Sequence, residues 1–363
     1  MDLEFFRKSI AEIAAHSLVA PDRVLRCIII ANPAAGGYTI RRRWKMHEEV
    51  LAQYRQKARA NHERNIWGKI EILLTNAKGS GEKIAQGIIA EASSNLSPFY
   101  LIIIAGGDGT NLDVLSAIYS APAHIRSNMG ILRLPMGTGN DGADSHSLAE
   151  ALDLLVKPAG LYFAPALHLE TAPSGPAKNK GPFLAFNILS MGLDAFVTGM
   201  TNKMKGKMPG DTYKLWVDIA SLFYTRLYKV GYLDVNALDE QGRETFVLHE
   251  KLLLLAMGAS GHRTYGAGKK ILPDERNVCA FKDMSLFEKA ALKKLAVLGK
   301  HAGRNGAFLF NGHRLEISGR QPILAQMDGE TILLQPEDFP AVIELTSPVI
   351  PLLKPKTTRD SNE

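Results

Sequence analysis

The sequence predicts an α/β protein with two domains, an N-terminal doubly wound parallel sheet and a C-terminal antiparallel β-sandwich-like domain. Strand and helix patterns alternate over the first part of the chain, which is typical of a parallel sheet with helices on both faces. Short strand-like pieces separated by turn residues dominate from residue 157 onward. The 363 residues suffice for two cores. We therefore expect domains over 1–156 and 157–346, with residues 347–355 a candidate to return to the first.

The first domain is expected to alternate four strands with helices. Apolar runs predict strands at 24–31, 69–75, 99–105 and 130–134. Amphipathic patterns predict helices at 3–16, 41–57, 81–92 and 111–120. A further helix should run to Val156, because Ser147 and Glu150 have the spacing of a capping box. In such sheets ligands bind beyond the carboxyl ends of the strands.

The second domain is expected to consist mainly of antiparallel strands. Turn residues delimit candidate strands at 161–171, 183–191, 232–238, 246–257, 277–281, 307–310, 314–318, 323–327, 331–334 and 341–346. A helical insert is predicted at 211–228.

The loop after the third predicted strand is the most informative feature of the chain. It reads Gly106-Gly107-Asp108-Gly109-Thr110. Glycine permits a sharp turn and a close approach to a ligand, and the N–H groups at a strand-to-helix turn suit a phosphate. Asp108 adds a carboxylate that could meet a phosphate-bound Mg²⁺ or a ribose hydroxyl. The loop predicts a nucleotide site, and the alternative is a tight turn without a ligand.

A second glycine-rich loop follows the fourth predicted strand. It runs from Met136 to Gly142 and contains small polar side chains between its glycines. Because parallel strands end at the same edge of a sheet, the two loops are expected at one site. Two such loops are far more specific than one.

Composition and charge exclude several classes of protein. Hydrophobic residues make up 46% and charged residues 22% of the chain, as in ordinary globular proteins. No apolar run approaches the roughly 18 residues of a membrane span, and charged residues interrupt the N-terminus where a signal peptide would be apolar. The net charge of +6 is compatible with anionic lipid or phosphorylated ligands, but no nucleic-acid module is evident. Cys27 and Cys279 are expected to be buried free thiols, and we expect a cytoplasmic protein that does not bind nucleic acid.

With these loops the chain resembles the diacylglycerol kinase catalytic-domain family, over roughly residues 24–350. The matching motifs are Asn32–Gly37, Thr75 with Gly79, Gly106–Thr110 with Asp113, Leu134–Asp141, the set Asn187, Ser190, Gly192 and Asp194, and Asp328-Gly329-Glu330. The Gly-Gly-Asp-Gly-Thr loop alone is shared with NAD kinases. Its combination with the Leu-Pro-x-Gly-Thr-x-Asn-Asp loop and the late Asp-Gly-Glu is much more specific.

The resemblance implies a lipid kinase that uses ATP and Mg²⁺ and phosphorylates a lipid substrate. The residues it assigns to the nucleotide are Asn32, Thr75, Gly106, Gly107, Asp108, Gly109, Thr110, Asp113, Gly137, Thr138 and Asn140.

The resemblance also assigns the acid–base and metal roles. Asp108 would hold Mg²⁺, Asp328 would take the proton of the acceptor hydroxyl, and Glu330 would orient Asp328 or bind metal. Asp141 would contact substrate or cap a helix. For Asp328 the alternative is a plain hairpin turn, which Asp-Gly favours.

Two departures from the family pattern concern metal binding and the nucleotide loop. The Asp-Gly pair that helps to bind a structural Mg²⁺ in the family is missing after Pro273, and Asp274 is the candidate replacement. Asp113 stands where the family has Glu, and Leu112 where it often has Asn.

Some residues have structural or surface interpretations. Asp194 is expected to be structural, and Arg41–Arg43 a solvated start of a helix with phosphate or lipid contact as the alternative. Lys203, Lys205 and Lys207 lie among apolar residues, so the segment could bind a membrane surface peripherally or be a solvated loop. A homodimer through an exposed strand edge is also compatible with the pattern.

Two other functions stay open at this point. One is an enzyme similar to NAD kinases with a soluble acceptor, against which the Leu134–Asp141 loop argues. The other is a catalytically silent regulator that binds nucleotide or lipid, which the missing Asp-Gly pair favours.

Overall fold

A computed structural model describes residues 2–20, 23–60, 67–137, 139, 140, 142, 145, 147–204, 224, 230–265 and 269–356. The chain divides into two units. The first contains Met1–Ala164 and Pro348–Glu363, and the second contains Pro165–Ser347.

The elements of the first unit are numbered along the whole chain. Its strands are β1 (Leu25–Ala31), β2 (Trp67–Leu74), β3 (Phe99–Gly106), β4 (Met129–Pro135), β5 (Ala159–Ala164) and β19 (Ile350–Pro355). Its helices are α1 (Leu3–Ala15), α2 (Gly36–Thr39), α3 (Arg41–Arg59), α4 (Ser80–Ser94), α5 (Asp108–Ser120), α6 (Ala123–Arg126) and α7 (Leu148–Val156).

The sheet of the first unit has the strand order β2-β1-β3-β4-β19-β5. Strands β2, β1, β3, β4 and β19 run parallel, and β5 is antiparallel to β19. The predicted strand at 161–171 is therefore wrong as one element. Its first part lies in this sheet, and its second part is a separate strand of the other unit.

Both faces of this sheet are buried. On β1, Cys27 and Ile29 belong to a core formed with α1, α3 and α7. Ile28 and Ile30 point the opposite way, because side chains alternate along a strand, and they too are fully buried. Helices α4 and α5 pack against each other, and α5 packs on β3. Helices therefore cover both faces, which confirms the predicted doubly wound sheet.

The second unit consists mainly of strands. They are β6 (Leu167–Glu170), β7 (Phe183–Ala185), β8 (Ile188–Gly192), β9 (Tyr232–Leu238), β10 (Glu244–Gly258), β11 (Arg263–Tyr265), β12 (Lys269–Leu272), β13 (Val278–Lys282), β14 (Ala307–Phe310), β15 (Arg314–Gly319), β16 (Ile323–Met327), β17 (Glu330–Leu334) and β18 (Ala341–Leu345). Two helices of this unit, α8 (Leu193–Met204) and α9 (Leu286–Leu298), were not predicted. The predicted insert at 211–228 lies outside the described residues, apart from Tyr224.

One long strand joins the two parts of the antiparallel sheet. The order is β17-β16-β8-β10-β9-β15-β18-β6-β7, with β13 on β10 and β14 on β13. The first part of β10 pairs with β9, and its second part pairs with β8 and β13. The curled sheet encloses a core that includes Leu255, Leu315 and Ile343. This confirms the antiparallel, sandwich-like second domain.

The structure also bears on the two cysteines and on membrane-spanning helices. Cys27 and Cys279 are both buried free thiols, as predicted. Within the described ranges no helix is long and apolar enough to cross a bilayer.

Candidate functional site

The loops after β1, β3 and β4 are joined at the carboxyl edge of the first sheet. Asn32, just after β1, donates its N–H to the Ala105 carbonyl at 3.0 Å. Gly37 donates its N–H to the Met136 carbonyl at 2.8 Å. At the edge predicted to bind a ligand, the loop after β1 is thus hydrogen-bonded through the backbone to the end of β3 and to the loop after β4.

The two glycine-rich loops touch each other. A Cβ added at Gly137 would lie 2.6 Å from the Cα of Gly107, a distance that real structures do not tolerate. A Cβ added at Gly107 would still lie 3.4 Å from the Cα of Gly137. Only glycine permits this approach of two backbones. The structure therefore brings together the two loops that the sequence predicted to form one site.

Asp108 connects these loops at the start of α5. Its Oδ1 accepts a 3.0 Å hydrogen bond from the N–H of Gly142 in the second loop. Its position in the first helical turn is favourable for a carboxylate, because the N-terminus of a helix carries partial positive charge. The side chain is half-buried, so it is fixed yet still accessible.

Two buried polar residues near Asp108 were missed by sequence reasoning. A Cβ at Gly142 would lie 3.6 Å from Asp108 Oδ1, 3.8 Å from Asn111 Nδ2 and 4.0 Å from Arg133 Nη1. Arg133 is only 3% exposed and interrupts the apolar run of β4, which was the one available signal for it. Arg133 therefore places positive charge beside the loop that carries Asp108.

Asn32 and Thr110 lie close together at the same edge. The Asn32 amide donates to Thr110 Oγ1 at 3.4 Å, and its carbonyl oxygen accepts from the N–H of Ala34 at 3.0 Å. Thr75 is buried, and its N–H donates to the Ala31 carbonyl at 2.9 Å. All three side chains therefore stand at the strand ends expected to face the nucleotide.

Asp113 holds the start of α4 against α5. Its Oδ2 accepts a 2.9 Å hydrogen bond from the N–H of Gly79, which has φ +75° and precedes α4. A Cβ at Gly81 would lie 2.9 Å from Asp113 Cβ, so the two helices meet closely here. This contact orients the turn after Thr75, and contact of Asp113 itself with a nucleotide stays a prediction.

Asn140 contributes an acceptor that has no hydrogen-bond partner in the described part of the chain. Its Oδ1 is buried, and the residue has φ +59°. A Cβ at Gly137 would lie 2.9 Å from this oxygen. A buried acceptor without a partner costs free energy and would be satisfied by a donor on a ligand. Thr138 and Asp141, which were also predicted here, lie outside the described residues.

Arg43 is a further residue of the site. It was expected to be solvated, yet its Nη1 donates to the Gly137 carbonyl at 3.0 Å. Its neighbours Arg41 and Arg42 are exposed, as expected of the start of a helix. One of the three arginines therefore supports the second glycine-rich loop.

Asp328 lies in the hairpin turn between β16 and β17. Met327 pairs with Glu330, and Asp328 and Gly329 have φ +43° and +101°. The Asp328 carboxylate accepts hydrogen bonds from the N–H groups of Phe186, Asn187 and Ile188. The turn that Asp-Gly favours is thus present, and its carboxylate ties the turn to the segment between β7 and β8.

A buried chain of side chains also reaches this turn. The Gly329 N–H donates to Gln326 Oε1 at 3.0 Å, and Gln326 Nε2 donates to Ser190 Oγ at 2.9 Å. Ser190 Oγ in turn donates to Asp194 Oδ2 at 2.6 Å. Both Gln326 and Ser190 are fully buried. Gln326 Nε2 also donates to Asp194 Oδ2 at 3.5 Å, so both routes of hydrogen bonds end on the Asp194 carboxylate.

Burial raises the pKa of Asp194 to about 6, although Ser190, Lys269 and Gln326 oppose the shift. The carboxylate that ends the chain of hydrogen bonds therefore titrates close to neutral pH. Ser190, Gln326 and Lys269 belong to the same unit as Asp194, and the structural role of Asp194 stays a prediction.

Asp274, the candidate replacement for the missing metal ligand, is engaged with Arg276. Its Oδ1 accepts from the backbone N–H and Nε of Arg276, both at 3.0 Å, and Oδ2 accepts from Nη2. These bonds lower the pKa of Asp274. Among the residues that the structure describes, no group of three or more His, Cys, Asp or Glu side chains could hold a metal ion. A cation at Asp274 would have to displace Arg276.

Fold and site together define an α/β protein whose ligand edge is formed by glycine-rich loops after parallel strands. Residues 26–158 match the family model described as the diacylglycerol kinase catalytic domain. This match confirms, for residues 26–158, the resemblance predicted from the motifs.

Known proteins agree with this assignment. A "Probable lipid kinase YegS-like" of Xanthomonas euvesicatoria is 26% identical over 265 residues, covering 69% of this chain and 75% of its own. A protein of the same name from Pseudomonas fluorescens is 26% identical over 233 residues, or 63% and 65% of the two chains. The crystal structure of a putative diacylglycerol kinase from Bacillus anthracis has a TM-score of 0.56 at 18% identity, covering 90% of this chain and 96% of that one. The last comparison shows that the fold is shared.

Proposed function

We propose that the protein is an ATP- and Mg²⁺-dependent lipid kinase that transfers the γ-phosphate of ATP to a hydroxyl of diacylglycerol or a related lipid. The observation that carries this proposal is the backbone contact of Gly107 and Gly137, which assembles two glycine-rich loops at the ligand edge of a diacylglycerol kinase catalytic domain. The relatives named as probable lipid kinases support the acceptor class.

On this proposal the first unit binds the nucleotide. The N–H groups of Gly107, Gly109 and Thr110 lie at the start of α5, where a helix N-terminus favours phosphate. The orphan oxygen of Asn140 would accept a hydrogen bond from the nucleotide. Asp108 is the candidate ligand of Mg²⁺, since its half-buried carboxylate lies beside both loops. When bound, Mg²⁺ would neutralise negative charge on the phosphates.

On the acceptor side, Asp328 would take the proton of the lipid hydroxyl. The hydroxyl oxygen then bonds to the γ-phosphorus, the bond from that phosphorus to the bridging oxygen breaks, and ADP leaves. The three backbone N–H groups fix the carboxylate in position. Glu330 follows in the same hairpin and would orient Asp328 or bind metal.

The test must separate a base from a structural residue, because the backbone N–H groups that would fix the base also tie its turn to the segment between β7 and β8. Asp338 is a matched control: it is a fully buried carboxylate of the same unit that accepts from the N–H groups of Ala177 and Gln335, both at 2.8 Å. We expect Asp328→Asn and Asp338→Asn to lower Tm alike, and only Asp328→Asn to abolish transfer from labelled ATP to lipids in mixed micelles with Mg²⁺.

Each of the other outcomes has a definite meaning. If both variants lost activity equally, in proportion to their loss of Tm, Asp328 would be a structural residue and not the base. Failure of the wild-type protein to phosphorylate any lipid while still binding ATP would contradict the proposal. Such a result would favour the silent regulator, which the Asp274–Arg276 pair in place of a metal site also favours. Transfer to NAD and not to lipid would identify the soluble-acceptor alternative.

A further inference from the structure

Helix α9 of the second unit exposes an apolar surface that the proposed chemistry does not use. Phe287 is 87% exposed, Leu298 53%, Leu286 48% and Val297 42%. Exposed apolar side chains that are contiguous, rather than scattered, mark surfaces that bind a partner or a membrane.

These side chains share one side of the helix. At about 100° per residue, Leu286, Phe287, Val297 and Leu298 fall within an arc of roughly 140°. The other residues of this arc are Ala290, Ala291 and Lys294, and all three are exposed. We call these seven residues the outer face of α9. Lys294 is its only charged member.

The opposite side of α9 is already packed. Leu292 is 6% exposed and belongs to a core cluster with Ile271, Leu272 and Phe281. The helix is therefore apolar on two sides, and its own core uses only one of them. The outer face is not needed for folding of the described unit.

The ends of α9 fix the outer face in place. Ser285 and Glu288 form a complete capping box at the start, and Gly299 with φ +69° ends the helix. Both features favour a defined helix over a fluctuating loop. Phe287 is thus held in the first turn of a capped helix.

The surroundings of the outer face are basic. Residues 282–300 contain five lysines and only two carboxylates. One carboxylate, Asp283, pairs with Lys289 at 2.7 Å, and the other, Glu288, is used in the capping box. Lys294 and Lys300 are exposed. An amphipathic helix with apolar residues among lysines is the pattern of a helix that lies in the interface of an anionic bilayer.

We propose that the outer face of α9 docks the protein on an anionic lipid bilayer, with Phe287 and Leu298 inserted among the lipids and Lys294 at the headgroups. This inference rests on the proposed function, because a lipid acceptor must be reached at a bilayer. A second copy of the chain is a poorer occupant. Apposed outer faces would bring the Lys294 side chains and the basic surroundings of two copies together, and these would repel each other.

The experiment is co-sedimentation of the full chain with phosphatidylcholine vesicles, with and without phosphatidylglycerol. We compare the wild type with a Phe287→Ser/Leu298→Ser variant. The control is Val247→Ser/Leu333→Ser, which removes two apolar side chains of the same unit that are 58% and 41% exposed. We expect the first variant to bind phosphatidylglycerol vesicles at least about tenfold more weakly, and the control to bind like the wild type.

A charge variant tests the anionic part of the proposal. Lys294→Glu should weaken binding to phosphatidylglycerol vesicles about fivefold or more, and the effect should shrink in high salt. Lys83→Glu, at an exposed position of the first unit, should leave binding unchanged.

The outcomes separate the docking surface from the kinase proposal. Unchanged vesicle binding by the Phe287→Ser/Leu298→Ser variant would overturn the docking surface. So would a change from dimer to monomer in this variant without loss of vesicle binding, which would identify a protein interface. Phosphorylation of lipid dispersed in detergent micelles should persist in the variant. If vesicle binding depends on the outer face but no lipid is ever phosphorylated, the surface stands and the proposed function fails.

Discussion

The candidate nucleotide site of the first unit is held by contacts between backbones, whereas the Asp328 turn of the second unit is held by hydrogen bonds to side chains. Gly107 and Gly137 meet backbone to backbone, and the orphan oxygen of Asn140 remains beside them. In contrast, Asp328 accepts three backbone hydrogen bonds, and the neighbouring Gly329 is fixed through Gln326. The first site therefore keeps hydrogen-bonding capacity for a ligand, while the second uses much of its capacity to hold its own shape. Substitutions should accordingly affect binding in one unit and turnover in the other.

The largest effect is expected from Gly137→Ala, which would break the backbone contact. The new Cβ would lie 2.6 Å from Gly107 Cα, so one loop must move. We expect a loss of about 1–3 kcal/mol of stability and of measurable ATP binding. Calorimetric titration with ATP and thermal unfolding would check this. In the control Gly87→Ala nothing lies within 4 Å of the new Cβ, and both properties should be kept.

The next effect concerns the pH dependence of stability. Burial raises the pKa of Asp194 to about 6 from 3.8, so the folded chain binds this proton more tightly than the unfolded chain. The contribution of Asp194 to stability is thus full below about pH 4 and is lost as the pH rises through about 6, by roughly 3 kcal/mol. Tm measured from pH 4 to 7 should therefore fall more in the wild type than in Asp194→Asn. If Tm changed with pH in the same way in the two proteins, the raised pKa of Asp194 would be contradicted.

Gln326→Leu tests whether the hydrogen-bond chain matters for turnover. It leaves the Gly329 N–H and Ser190 Oγ without their amide partner, at a cost of about 1–3 kcal/mol. Asn277→Leu is matched, because the Asn277 side chain likewise accepts from a turn glycine, Gly312, at 3.0 Å. Similar losses of stability are expected, with a fall in kcat only for Gln326→Leu. Equal kcat values in the two variants would assign Gln326 to folding alone.

The smallest effect is expected at Arg43. Replacement by Met removes its hydrogen bond to the Gly137 carbonyl and should raise the Kd for ATP about fivefold to tenfold. Arg42→Met changes an exposed neighbour and should leave ATP binding unaltered. Equal Kd values for the two variants would show that the second glycine-rich loop does not need Arg43.

Local signals explain which elements could be predicted. Strands β9, β14 and β16 were predicted with their exact bounds, because turn residues border short apolar runs there. Helix α9 was missed because its apolar residues cover two sides and give no single helical stripe. Strands β5 and β6 were predicted as one element because the break signal inside the run, Pro165, was not used.

The candidate site was likewise predictable where its signals are local in sequence. Glycine-rich loops can be recognised from local sequence, and the loops after β3 and β4 were both predicted. The contact of Arg43 with Gly137 joins residues 94 positions apart, and that of Asp328 with Asn187 joins residues 141 apart. No local spacing encodes such contacts. They depend on how the sheet brings distant loops together.

The position of β19 has a consequence for the order in which the chain acquires its structure. This strand lies between β4 and β5, and it pairs residue 350 with residue 164. During synthesis on the ribosome, β4 lacks its neighbour β19 until the whole second unit has been made. The second unit is continuous in sequence and can fold first. A released chain that is truncated after Ser347 should therefore contain a protected second unit and a protease-sensitive first one.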